Sequence, residues 1–303
     1  MKTLEALQRD IDTSTDLQGI VRTMKVLAAV SIRQYERAQE SLQLYSRTVE
    51  LGIQAVLQNQ AAAAIAGSQD QQGVGAVIFG SDHGLCGRYN ESIAKFAFQQ
   101  LQSADNQQDS IRILVIGARV ETALHEMGME AEDCFTVPGT VESISRMVQQ
   151  ILLKIDSWKL DRVGTVKLFY HARRSRSSYP PREEQLLPIN GENFQRKSSK
   201  PWPSRSLPQF TLSNEELLHA LVRQRLFINL FRACAESLAG EHFNRLMSMQ
   251  IAEKNIQQRL DALTSTYRQQ RQNQITEELL DVVSGFEAMQ EENGNDAAGD
   301  GIR

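Results

Sequence analysis

LLHALVRQRLFINLFRACAESLAGEHFNRLMSMQIAEKNIQQRLDALTSTYRQQRQNQITEELLDVVSGFEAM (Leu217–Met289) contains no Pro and only two Gly, Gly240 and Gly285. Leu, Ala, Glu, Gln and Arg dominate it, the composition that a long helix or coiled coil requires. Apolar residues recur at Leu246, Met249, Ile256, Leu260, Leu263 and Tyr267, then resume after a slip of phase at Ile275, Leu279, Val282, Phe286 and Met289. At ~1.5 Å per residue such a helix runs roughly 110 Å. One globular core cannot cover a rod of that length, so it must contact something beyond its own fold.

The other end of the chain reads the same way. Thr3 to Asn59 holds no Pro. From Leu17 the series Val21, Met24, Ala28, Ser31, Tyr35, Ala38, Leu42, Tyr45, Val49 and Val56 follows a heptad seam. A slip of phase near Ser14 predicts a local change of supercoil or of partner. Two rods, at 1–60 and 211–290, can pair antiparallel; the alternative is two separate helices of a bundle.

Between the rods the period changes. GVGAVIFG (73–80), IRILVIG (111–117) and VGTVKLFYH (163–171) are short apolar runs that predict buried strands. Helical patterns follow SDHGLCGRYN and run over 120–127 and 141–158. Strands alternating with helices predict a small, Rossmann-like α/β domain at 73–171, inserted between the rods. Residues 172–210 form a connector with six of the seven prolines and eight Lys or Arg against three Asp or Glu. Within it LLPIN can serve as an edge strand, where Pro188 is tolerated. The tail 291–303, rich in Gly, Asn and acid, predicts disorder.

Composition bounds the function classes. With 303 residues and a net charge of -4, neither a globally basic nor a globally acidic partner is implied. The connector's basic residues lack interleaved aromatics and any recognition module, so nucleic acid is not expected. Cys86, Cys134 and Cys234 are widely separated and predict reduced thiols without a metal site. No apolar run reaches the ~18 residues of a membrane span, and the start has no apolar signal core. A cytoplasmic protein, held at a membrane only through partners, is the expectation.

SDHGLCG sits where a phosphate-binding loop sits in a nucleotide-binding fold. It is neither GxGxxG nor GxxxxGK followed by Ser or Thr. Gly84 and Gly87 are expected to serve a tight turn and close packing. Ser81, Asp82 and His83 are adjacent in sequence, a poor arrangement for a relay. Cys86 is either a thiol at a helix N-terminus or a small packing residue. No paired carboxylates carry metal-ligand spacing, so no catalytic residue, cofactor or metal is expected.

The last rod, by contrast, carries Arg268, Gln269, Arg271, Gln272, Asn273 and Gln274 on nearly all faces, more side-chain donors than a core helix needs. Arg271-Gln272, then Ile275-Thr276-Glu277-Glu278 and Gly285, resembles a signature near the C-terminus of the γ subunits of F-type ATP synthases. Ile20, Met24, Lys25, Ala28 and Ala29 resemble that family's Met-Lys and Ala-Ala segment. SDHGLCGRYN at 81–90 is similar to its Gly-Leu-Cys-Gly loop ending in Asn. Glu241, Arg245, Met249, Ala252 and Asn255 fall on a further pattern. Ser31 and Phe286 depart from the family, where Lys and Ala are usual. FGSDHGLCG, PWPSR, RQRLFINLFRACAESLAGE, AEKNIQQRL and ITEELLDVVSGFEAM look closest to the alternate, or N-type, branch, some members of which are thought to couple to sodium.

The resemblance implies a non-catalytic rotary shaft whose paired terminal helices stand inside a ring of alternating α and β subunits. It implies ε and the c-ring of the membrane sector as further partners, at the cytoplasmic face of a bacterial or archaeal membrane. Arg271, Gln272, Thr276 and Glu278 are the implied polar catch for a β loop, with Met24 and Lys25 alongside on the partner helix. The 81–90 loop is implied to face the ring or ε. Two other readings stand beside it: a nucleotide-binding α/β enzyme, and a free-standing coiled-coil scaffold.

Overall fold

The structure, a computed structural model, describes residues 3–58, 73–104, 111–158, 163–175, 178–188 and 209–299. Most of the Pro/Ser/Arg-rich connector, with its PWPSR run, and the last four residues lie outside them. Two long helices, α1 (Leu4–Gln58) and α5 (Asn214–Gly299), flank a five-stranded sheet. The chain divides into two compact units, Met1–Met24 with Met249–Arg303, and Lys25–Ser248.

In the first unit the two helices are joined by Gln18 Nε2 donating to Gln257 Oε1 at 2.7 Å and Arg22 Nε to Glu253 Oε1 at 2.9 Å. In the second unit Gln39 Nε2 donates to Glu236 Oε1 at 2.8 Å, and Tyr35 stacks on His242. Numbers on one helix fall as those on the other rise, so the pair is antiparallel in each unit. Along α1, Leu7, Ser14, Ala28, Tyr35, Val49 and Val56 are buried at intervals of seven or its multiples, with Val21 and Leu42 half-buried between them. Leu17 and Tyr45, which the periodicity assigned to the seam, are exposed. Ser14 and Gln18 take the seam near Leu17 instead, and Gln18 uses it for its bond across to α5.

Ser213 starts α5 with a capping box: Glu216 N donates to Ser213 Oγ and Ser213 N to Glu216 Oε2, both at 3.3 Å. The helix runs to Gly299, past 290 where the sequence reading ended the rod and began a disordered tail. Gln290, Glu291 and Glu292 favour helix, and no Pro interrupts the run.

The sheet has the order β3-β2-β1-β4-β5. Its strands are β1 (Gly73–Phe79), β2 (Ile111–Ile116), β3 (Asp133–Phe135), β4 (Val163–His171) and β5 (Pro181–Leu187). The first four pair in parallel, and β5 lies antiparallel at the edge beside β4. Val77, Phe79, Leu114 and Ile116 face a core built with α4 (Val141–Trp158) and with Leu230, Phe231, Cys234 and Leu238 of α5. Ala76, Ile78, Ile113 and Val115 face a second core, built with α2 (Tyr89–Ala104) and α3 (Ala118–His125). Burial on both faces explains why these strands read as continuous apolar runs. The edge strand is PREEQLL, which takes in the two leucines of LLPIN, whose last two residues lie outside the described ones: it ends before Pro188, which has no N–H to donate, and Lys167 Nζ holds Glu183 at 2.9 Å across the pair.

Candidate functional site

Two places gather the polar residues that the sequence singled out. The first is the loop 80–90 between β1 and α2. Ser81 is fully buried; its N–H donates to Asn90 Oδ1 at 2.9 Å, and Asn90 Nδ2 returns a bond to Ser81 Oγ at 2.8 Å. That reciprocal pair closes the loop at its base. Gly117, at φ 110, lets the backbone of Ser81 pass so close that a Cβ there would lie 2.7 Å from Ser81 N.

The tip is a turn with two left-handed residues, Leu85 (φ 64) and Gly87 (φ 62). Gly87 takes one left-handed position, and Leu85 rather than Gly84 takes the other. A Cβ on Gly87 would also meet Ser248 Oγ of α5 at 3.0 Å. His83, Leu85 and Arg88 are exposed, and Leu85 shows 62% of its surface. Cys86 is buried, its Sγ 3.6 Å from Ser81 Oγ, and burial pushes its thiol pKa up. It packs, and the thiolate that a nucleophile needs is disfavoured.

Asp82 is turned away from the tip. Its Oδ1 accepts from Ala118 N at 3.1 Å and its Oδ2 from Val137 N at 2.8 Å. The first amide of α3, which could meet a phosphate in a nucleotide-binding fold, thus faces the chain's own carboxylate, and the next, Arg119 N, donates to Ser81 O at 3.0 Å. Among the described residues no cluster of His, Cys, Asp or Glu could hold a metal ion, and no helix is long and apolar enough to cross a membrane.

On its other side the loop meets α5. Glu241 and Arg245, one helical turn apart and both buried, form an ion pair at 2.7 Å. Arg245 Nη2 also reaches His83 O at 3.5 Å and Gly84 O at 3.4 Å. Burial raises the Glu241 pKa in spite of that partner. Tyr89, at the start of α2, donates to Ser237 O at 2.8 Å, and its ring stacks on His171 at 4.1 Å. The sequence showed Glu241, Arg245 and Asn90 as parts of a pattern. It could not show Tyr89, Ser237 and His171 meeting, since Tyr89 and Ser237 are 148 residues apart.

The second place is the free end of α5. The bonds from Gln18 and Arg22 fix the register, so that α1, beginning at Leu4, stops opposite about residue 271. From Arg271 to Phe286 every side chain of α5 is exposed. Arg271, Gln272, Thr276 and Glu278 all lie in this stretch. Thr276 Oγ1 donates back to Gln272 O at 2.9 Å, and Gln274 Nε2 to Glu278 Oε1 at 3.1 Å. Ile275, Leu279, Leu280, Val282, Val283 and Phe286 expose apolar surface between them. Met24 and Lys25 are half-buried on α1. Met24 lies near the level of Glu253, roughly 25–30 Å of helix from Arg271. The structure therefore does not set it alongside the proposed catch.

The sequence family described as ATP synthase matches residues 3–289. The chain is 24% identical over 302 residues to the ATP synthase gamma chain of Pelagibacter ubique, covering 95% of this chain and 100% of that one. It is 27% identical to the gamma chain of Granulibacter bethesdensis, at the same coverages. In fold it is similar to a chain of the Euglena gracilis mitochondrial ATP synthase, solved with OSCP, F1 and c-ring (TM-score 0.63, 16% identity, 99% of this chain and 96% of that one). A chain of the Tetrahymena thermophila mitochondrial ATP synthase, in a structure of its central stalk and c-ring, gives a TM-score of 0.57 at 18% identity, covering 77% of this chain and 99% of that one. A matched family over almost the whole length, a helical pair with its inserted sheet and an unpaired polar-apolar helix end agree: the chain belongs to the ATP synthase family as a gamma subunit, the non-catalytic rotor of the central stalk.

Proposed function

We propose that the free end of α5, from Arg271 to Phe286, is the bearing and catch of the rotor inside a ring of alternating α and β subunits. The exposed apolar stripe of that end carries the reading. A lone helix presenting Ile275, Leu279, Val282 and Phe286 to water needs a sleeve of apolar side chains around it. Arg271 and Gln272 sit at the lower edge of the stripe with Thr276 and Glu278 above them, and supply donors and acceptors for a β loop. Lys25, one residue from Met24 on α1, is assigned to acidic β residues at a lower level. An asymmetric rod shows each of three identical β sites a different face, so rotation shifts their open and closed populations through differential contacts.

The exposed tip of the 81–90 loop is assigned to a further partner surface, in the direction of ε or the c-ring. With these partners the chain is peripheral, at the cytoplasmic face of a bacterial or archaeal membrane. Placement in the N-type branch rests on the sequence runs FGSDHGLCG, AEKNIQQRL and ITEELLDVVSGFEAM.

The test is co-expression of a tagged copy with α and β candidates from the same genome, followed by purification and an ATPase assay. A stable complex whose hydrolysis depends on this chain supports the rotor contacts, and Arg271→Ala with Gln272→Ala is expected to slow or uncouple it. Unchanged turnover and torque in that double variant removes both residues from the mechanism. A folded chain with no affinity for α or β would return the scaffold reading.

A further inference from the structure

We propose that Asp82 is a positioning residue of the rotor: it fastens the exposed tip 83–88 to the ends of the sheet strands, so that force received at the tip reaches the α/β domain. This rests on the reading of the tip as a partner surface. The geometry separates two jobs within one short loop. The base is closed by Ser81 and Asn90 through bonds of 2.9 and 2.8 Å that do not involve Asp82. The tip is tied to that base by Ser81 Oγ donating to His83 O at 2.9 Å, and two further restraints hold it from outside the loop. Toward α5 it is held by Arg245 Nη2 at 3.4–3.5 Å from two carbonyls, near the limit of a hydrogen bond.

Toward the sheet it is held by the Asp82 carboxylate at 2.8 and 3.1 Å from the amides of Val137 and Ala118. These are charge-assisted bonds, shorter than those of Arg245. They come from segments 36 and 55 residues away, so one side chain joins the end of β1 to the ends of β2 and β3. Leu85 holds φ 64 without being Gly, a conformation that a tethered turn sustains and a slack one abandons. Losing Asp82 thus cuts the tip's link to the sheet and loosens it, while the base and its bond from Ser81 to His83 stay shut.

The experiment uses the complete ATP synthase in liposomes, carrying wild-type chain, Asp82→Asn or Asp82→Ala. Asn keeps one acceptor and turns an NH2 toward the second amide. ATP hydrolysis and the ion uptake it drives are measured in the same vesicles, with hydrogen exchange followed at residues 81–90. The expected result is assembly and hydrolysis within about twofold of wild type. Amides 83–88 should exchange at least tenfold faster while Ser81 and Asn90 hold. Ions moved per ATP should fall about threefold or more in the Ala variant and less in the Asn variant. Faster tip exchange with wild-type transport per ATP overturns the proposal, as does unchanged exchange. If neither variant assembles, Asp82 is a folding residue and the positioning role falls. Failure of the rotor reading looks different: hydrolysis by α and β would not respond to the wild-type chain.

Discussion

His171 ends β4 with its ring stacked on Tyr89 and its Nε2 2.9 Å from Ser92 Oγ. Its Nδ1 is buried with no hydrogen-bond partner, and Gly240 of α5 closes the other side. Burial alone lowers its pKa to about 3, since no charged group pairs with an imidazolium there. The unfolded chain takes a proton near pH 6.5 and the folded chain refuses it. The stability from His171 is therefore present above 6.5 and lost as pH falls from 6.5 toward 3. By linkage the loss at pH 5 is about 2 kcal/mol. His242, lowered to about 4 by burial and Arg245, acts in the same direction. Glu236 and Glu241, both raised by burial, act in the opposite direction, favouring the fold at low pH and weakening it as pH rises through their folded values. His171→Asn should start less stable at pH 7 yet lose about 2 kcal/mol less than wild type between pH 7 and pH 5. Urea unfolding of the full chain at the two pH values measures it, and equal losses in both proteins would show that His171 is protonated in the fold.

At the level of elements, helical glycines divide by what surrounds them. A Cβ at Gly285 meets nothing within 4 Å, whereas one at Gly240 lies 3.1 Å from His171 Cβ and 3.3 Å from Tyr179 Cβ. Gly285→Ala should stabilise the free end of α5 by up to ~1 kcal/mol, the helix-propensity difference. Gly240→Val should destabilise the fold by roughly 1–3 kcal/mol through overpacking against β4. Hydrogen exchange over 275–286 checks the first and thermal unfolding the second; the same sign for both would contradict the packing described.

This contrast also marks what was legible in the sequence. Both rods, three of the four parallel strands and α4 could be read because their periods of seven and 3.6 residues, or their unbroken apolar runs, are local signals, which the three-residue β3 lacks. The edge strand PREEQLL was not, because its three charged residues, Arg182, Glu183 and Glu184, mask the β period and its pairing with β4 is a tertiary fact. The tail was read as disordered from composition, while the helix it extends continues to Gly299. At the loop, Leu85 and Gly87 hold the left-handed positions, and nothing local in the sequence marks Leu85 for one. Asp82, Tyr89 and His171 stayed hidden because their partners lie on distant segments.

For the whole molecule, the question is why α5 is longer than its partner. Pairing with α1 stops opposite about residue 271, yet the sequence keeps apolar residues at three- and four-residue spacing through Phe286. Water-exposed Leu279 (61%) and Phe286 (66%) give nothing to the isolated chain. Their removal should therefore change its stability by less than about 0.5 kcal/mol. Inside a sleeve each would bury apolar surface worth about 1.5–3 kcal/mol. Leu279→Ser with Phe286→Ser should therefore leave the melting curve of the free chain in place. The same pair should weaken its association with an α/β ring by roughly two to four powers of ten. Leu153 on α4 is exposed to the same degree, at 62%, and provides the control. Leu153→Ser removes about as much exposed apolar surface as Leu279→Ser alone, but not from the shaft, and ring affinity should not respond. Titration of fluorescently labelled chain into purified α and β reads both. If the two α5 substitutions bind the ring as wild type does, the free helix end is not the bearing, and the contacts that turn rotation into work must lie along the α1–α5 pair.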